Sequence, residues 1–141
     1  MVRWQRSIEI EAAPARVWNV IADVGHWPEL TPSILSVEDL SEPFALGGTA
    51  TVQALGTPTS GYRVTRWEPG HGFDWETRVR GATAIGRHWV EPAGEGKSLA
   101  TLTLDMPGII AVVFKPMLSR VIKRNLEMEA NGLKQRSERQ A

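Results

Sequence analysis

Apolar and polar residues alternate at the start of the chain. Trp4, Arg6, Ile8 and Ile10 fall on one side, and Gln5, Ser7, Glu9 and Glu11 on the other. A period of two over Trp4–Glu11 predicts a half-buried strand. Ala12-Ala13-Pro14 ends it, and Pro14 suits a first helical turn, where its missing N–H costs nothing. Val17, Trp18, Val20 and Ile21 then recur at helical spacing, predicting a short amphipathic helix over Pro14–Asp23 that Gly25 breaks. His26–Leu30 fits a second short helical turn, closed by Thr31-Pro32. From Ser33 onward the period returns to two. Strands are expected near Ile34–Leu40, Thr49–Leu55, Ser60–Glu68, Gly72–Val79, Thr83–Glu91 and Ser98–Asp105, separated by Gly- and Pro-bearing turns. Connections this short join antiparallel neighbours. After Pro107-Gly108 the period becomes helical almost to the end: Phe114, Leu118, Ile122, Leu126 and Leu133 form one stripe, with Met117 and Val121 beside it. Pro116 is expected to kink this helix or to start its straight part, and the polar residues from Gln135 to fray.

The order is strand, two short helices, six antiparallel strands and one long helix, an α+β pattern. A long helix with an apolar face must cover a sheet, and a curved antiparallel sheet can wrap it. At 141 residues the chain fits one ordinary domain, residues 1–141. Composition then removes several function classes. Sixteen Lys/Arg balance sixteen Asp/Glu, which argues against electrostatic capture of nucleic acid. Cysteine is absent, so disulfides, thiolate metal sites and cysteine nucleophiles are excluded. His26, His71 and His88 lie on different elements without paired-ligand spacing, so no metal and no cofactor is expected. There is no Gly-x-Ser-x-Gly elbow, and the glycine pairs around His71 and Glu95 precede strands, as turns do. The opening residues lack an apolar signal core, and the longest apolar stretch, Gly108–Phe114, is far shorter than the ~20 residues of a membrane span. A cytoplasmic protein is the expectation. Six tryptophans against one tyrosine point to large aromatic surfaces lining something.

Strand parity proposes what they line. On Gly72–Val79, Phe73, Trp75, Thr77 and Val79 share a side, with Asp74 and Glu76 opposite. A two-residue turn of Arg80-Gly81 or Gly81-Ala82 puts Ala84, Gly86, His88 and Val90 on the same inner side. The Gly81-Ala82 choice also sets Glu76 opposite Arg87. Tyr62 and Val64 are expected to share that face. His88, among Phe73, Trp75 and Tyr62, is the first candidate for a catalytic side chain, as general base or acid; the commoner alternative is a half-buried histidine bonded to a neighbouring carbonyl. Trp27 sits at the expected mouth beside His26, as gate or as hydrophobic plug. Phe114, Leu118, Val121 and Ile122 supply the helix wall. Asn125 faces either the sheet or water.

The run from Ile8 through Ala12-Ala13-Pro14-Ala15-Arg16-Val17-Trp18, with Ile21-Ala22-Asp23 and Trp27-Pro28-Glu29-Leu30, resembles the opening of the polyketide cyclase/dehydrase and START-like superfamily (SRPBCC). Trp67-Glu68-Pro69-Gly70, Trp89-Val90-Glu91-Pro92 and Leu99–Leu104 are similar to its hairpins, and the closing helix to its last helix, so the likeness spans essentially the whole chain. It implies a helix-grip fold: a seven-stranded curved antiparallel sheet around a long C-terminal helix, with a deep hydrophobic cavity between them. It also implies either a carrier or sensor of a hydrophobic small molecule (aromatic, polyketide-like or lipid) or an aromatase/cyclase using His88 for proton transfer. It supplies no universal catalytic residue. Several convergent titratable groups in the cavity would favour an enzyme, and almost none a carrier. One inward histidine and no inward carboxylate are expected, which leans towards binding. The oligomeric state is open between monomer and homodimer. From Lys115 onward seven Lys/Arg stand against three acids, so a membrane-peripheral or protein-interaction role of this basic helix is the third reading. Membrane contact is the lesser expectation, since the sheet needs the apolar side.

Overall fold

The computed structural model describes residues 1–139. Strand β1 (Val2–Ile10) leads into helix α1 (Pro14–Ala22), a 3₁₀ turn (Val24–His26) and the single turn α2 (Trp27–Leu30). Strands β2 (Ile34–Glu38), β3 (Thr49–Ala54), β4 (Ser60–Glu68), β5 (Gly72–Val79), β6 (Ala82–Pro92) and β7 (Ser98–Met106) follow, then α3 (Ile109–Val113) and α4 (Lys115–Glu138). All seven strands form one antiparallel sheet in the order β1-β7-β6-β5-β4-β3-β2. Register shifts at Ile34/Ser36 and Val64/Arg66 mark bulges, which raise local twist and help the sheet curl around α4. This is the helix-grip fold.

The expected elements form close to their expected bounds, because periods of two and 3.6 were already present in the side chains. The terminal helix breaks where Pro116 was expected to start its straight part: α3 stops at Val113, and Pro116 lies in the first turn of α4, where a missing N–H is harmless. One detail differs. The end of α4 is not frayed from Gln135. It continues to Glu138, whose Oε2 accepts from the Glu11 amide at 2.8 Å, while Arg16 donates to the carbonyls of Arg136 (3.0 Å) and Arg139 (3.3 Å). A cation on the orphan carbonyls of a helix C-terminus satisfies them and favours the helix dipole. The fraying expected of Gln140 and Ala141 lies outside the described residues.

The β5–β6 turn is Arg80-Gly81, both at positive φ (51° and 82°), as a type I′ hairpin demands. Phe73 therefore faces His88, and Asp74, not Glu76, faces Arg87. Two close approaches shape the interior. A Cβ on Gly132 of α4 would lie 2.2 Å from the Leu30 carbonyl oxygen, so the absence of a side chain lets α4 dock against α2. A Cβ on Gly86 would meet Trp75 Nε1 at 2.8 Å, so Gly86 is the hollow that the Trp75 indole fills.

The core lies between the concave face and the helices. Ile122, Leu126, Ala130 and Leu133 of α4 are buried there, with Val17, Val20 and Ile21 of α1. Trp4 crosses from β1 to α4 and donates its indole N–H to Ser119 Oγ at 3.0 Å. The opposite face carries Arg3, Asp105, Arg87, Asp74 and Trp89 in one network. Asp105, wholly buried, accepts from Arg3 Nε (2.6 Å), Arg3 Nη2 (2.9 Å) and Arg87 Nε (2.8 Å). Asp74 accepts from Arg87 Nη1 (2.6 Å) and from Trp89 Nε1 (2.7 Å). The Arg66 guanidinium covers the Trp89 ring at 4.5 Å.

Candidate functional site

The inner-face residues of β4, β5 and β6 converge with α2 into an aromatic cluster. His88 lies between Phe73 (ring centroids 4.8 Å apart, nearly parallel) and Trp27 (4.9 Å), with Trp75 edge-on at 5.7 Å. Tyr62 packs on Trp75 at 4.6 Å, and Phe44, from the β2–β3 connection, meets Phe73 and Trp75 edge-on. Further along, Trp67 joins Phe73 to Trp18 of α1. Trp27 holds its place by donating to the Ile21 carbonyl at 3.2 Å. Tyr62, Phe73, Trp75 and His88, which strand parity put on one side, thus meet Trp27 of α2 in one cluster, and Val64 and Thr77 of the same strands are buried.

That interior is largely filled. Where a deep cavity is implied, there is one small space of about 20 Å³, lined by Trp27, Leu30, His88, Leu102, Glu129 and Leu133 among others. This is room for one water-sized guest. On the other side of Trp27 and Leu30 lies an open cleft of about 230 Å³ between α1, α2 and α4, reached past Arg16, Asp23, His26 and Arg136. Trp27 and Leu30 line both spaces. His26 stands at this outer edge, exposed, and Asp23 at 2.8 Å holds its pKa above the usual imidazole value.

The helix wall divides. Ile122 is buried, Leu118 packs against the core, and Val121 lies over the β3–β4 turn at Gly56. Asn125 faces inward: its Nδ2 donates to the Leu55 carbonyl at 2.9 Å, while Oδ1 is buried without a partner. Phe114, grouped from its spacing with the lining, is instead on the surface, 47% exposed, because the α3–α4 break turns it away.

One polar residue was missed. Glu129 extends the Ile122–Leu126–Leu133 stripe by the same i+3/i+4 spacing, a signal present in the sequence but masked by counting it with the outer charges. Its carboxyl is desolvated among apolar neighbours, which pushes its pKa up to about 7. Desolvation pushes His88 the other way, down to about 3, offset in part by the Phe73 carbonyl. Burial also raises Tyr62, and the Glu129 charge adds to that shift, so the two groups sense one another. His88 Nδ1 and Thr77 Oγ1 are buried with no hydrogen-bond partner. At neutral pH this interior holds an uncharged imidazole and an acid near its midpoint, with spare acceptors around them. Among the described residues no three His, Asp or Glu converge as a metal site, and no helix is long and apolar enough to cross a membrane.

Similarity to known proteins falls on the same frame. The chain superposes on the Zhui aromatase/cyclase of Streptomyces sp. R1128 with a TM-score of 0.81 at 19% identity, covering 98% of this chain and 94% of that one. A hypothetical protein of Helicobacter pylori gives 0.82 at 11% identity (96% and 88% covered), and a START superfamily protein of Mycobacterium smegmatis 0.72 at 16% (96% and 97%). At these identities the likeness is one of fold. No curated protein sequence matches significantly. The family model for polyketide cyclase / dehydrase and lipid transport matches residues 1–138, and with its fold and interior the chain belongs to that START-like family.

Proposed function

We propose that the chain binds one flat, mainly apolar small molecule, polyketide-like or lipid-like, between the sheet and α4, admitted when Trp27 swings aside. The carrying observation is the wall that Trp27 and Leu30 share between the outer cleft and the inner space. Joined, the two approach the lower end of the volumes that small-molecule sites occupy, about 300 Å³. His88, whose Nδ1 is buried without a partner and which lines the inner space, supplies a polar contact that fixes orientation. Family membership and fold likeness to an aromatase/cyclase support a guest of this class.

Thermal shift against a panel of polyphenols and fatty acids tests the reading. A true guest at 100 times its Kd raises stability by about 2.7 kcal/mol, a shift of several degrees. Trp27→Ala, which removes the partition, is expected to bind the same compound with an association rate raised about tenfold, since the gating step is gone. Flat melting curves for both proteins across the panel would overturn the reading.

A second reading, cyclisation chemistry, is favoured by Glu129. A carboxyl near pKa 7 can both take and give a proton at neutral pH, whereas His88 near 3 stays neutral and acts as a hydrogen-bonding group. The proton-transfer role expected of His88 therefore passes in this reading to Glu129. A Glu129→Gln protein that binds its guest but no longer closes a ring on a poly-β-ketone would support it, and unchanged turnover would remove it.

A further inference from the structure

The segment between β7 and the body of α4 shows a surface that the ligand site does not explain. Gly108, at φ 97°, turns the chain out of the sheet, and only Ala111 of α3 is buried. Ile109, Val112, Val113, Phe114 and Met117 project into solvent at 72, 53, 62, 47 and 65% exposure. These are adjacent turns of one short run, so the side chains make a contiguous apolar patch, a feature that monomeric soluble proteins rarely present without a partner. The helix face that covers the sheet begins only at Leu118 and Ile122. The apolar stripe assigned from its spacing to the protein's own core therefore splits. Its C-terminal part is buried and its N-terminal part is left out.

Charge decides what fits there. Residues 106–126 contain no Asp or Glu, and carry Lys115, Arg120, Lys123 and Arg124. All four are exposed and none forms an ion pair among the described residues. In a two-fold dimer the same patch would face itself and bring these cations together. An anionic lipid surface meets both properties at once: aliphatic side chains enter the headgroup–acyl boundary while lysine and arginine stay with the phosphates. Among the described residues no helix is long and apolar enough to span, so the contact lies in the plane of the interface. We propose that α3 and the first turn of α4 dock the protein on anionic membranes, inserting Ile109, Val113, Phe114 and Met117. The proposal is independent of what the interior holds.

Vesicle flotation of the full chain tests it, with phosphatidylcholine vesicles containing or lacking phosphatidylglycerol. Binding to the anionic vesicles is expected to exceed that to neutral ones by about tenfold or more, and to weaken at high salt. Val113→Ser with Met117→Ser should lower anionic binding by about tenfold or more through lost apolar insertion, at an unchanged melting temperature because both side chains are already exposed. Lys115→Glu with Lys123→Glu should abolish the preference for anionic lipid. Absence of flotation on either vesicle, or flotation indifferent to the serine pair, overturns the proposal. A dimer in solution that the serine pair dissolves, without vesicle binding, assigns the patch to a second copy and overturns it equally.

Discussion

Asp105→Ala should destabilise the protein by about 3–5 kcal/mol, the cost of breaking a buried ion pair from one side. For a chain of this size that corresponds to a fall in melting temperature of roughly 10–20 °C. The wild-type carboxylate is fully buried and takes three charge-assisted hydrogen bonds from Arg3 and Arg87. Its removal leaves Arg87, about one-third exposed, partnered by Asp74 alone and lying over an empty site. Arg3→Met is the contrast: its guanidinium is half-exposed and Arg87 still donates to the carboxylate, so a smaller loss than that of Asp105→Ala is expected. The Arg3 hydrogen bonds, followed by those of Arg87, hold the Asp105 carboxyl below its ordinary value of 3.8. Its contribution is complete above that value and disappears as pH falls further. Differential scanning calorimetry at neutral pH decides the matter. An Asp105→Ala protein melting within about 2 °C of wild type would show that the outer-face network carries little of the fold's stability.

The second large effect is a pH dependence hidden by cancellation. Glu129 ionises at 4.5 when unfolded and near 7 when folded, so its burial stabilises least above pH 7, and the loss accumulates as pH rises from 4.5. His88 takes a proton at 6.5 when unfolded and only near 3 when folded, so its loss accumulates as pH falls from 6.5. Between 4.5 and 6.5 the two slopes, each about 1.4 kcal/mol per pH unit, oppose one another. Wild-type stability from urea unfolding should be nearly level across that window. Glu129→Gln removes one slope: it should gain about 3 kcal/mol over wild type at pH 8 and lose stability steadily on acidification below 6.5. His88→Gln should show the mirror image, weakening as pH rises from 4.5 to 7. A Glu129→Gln profile as level as that of wild type would refute the burial of both groups.

The two predictions concern opposite faces of one sheet, and the sequence was legible to different depths on each. Inside, alternation along Phe73-Asp74-Trp75-Glu76-Thr77 and a two-residue turn were enough to bring Phe73, Trp75, Thr77 and His88 together, since parity survives either choice of turn. Outside, the same alternation marked Asp74 as a solvent-side residue. It is instead nearly buried, because the Arg80-Gly81 turn puts Arg87 across from it and Trp89 over it. Asp105 was read only as the end of a strand. Its partner Arg3 is 102 residues away, a distance that no local pattern encodes.

By itself the sequence determined the order of elements, the positions of the turns and the side each strand residue faces. These follow from covalent periodicity and from the conformations open to glycine and proline. Tertiary structure alone decided how much room the grip leaves, that Glu129 enters it while Phe114 turns away, and that α3 keeps its apolar face outside. Those outcomes depend on how distant surfaces meet: the approach of α4 to the Leu30 carbonyl at Gly132, the indole seated over Gly86, and the break before Pro116. Packing at such contacts is a property of pairs of elements, and it is set only when both are in place.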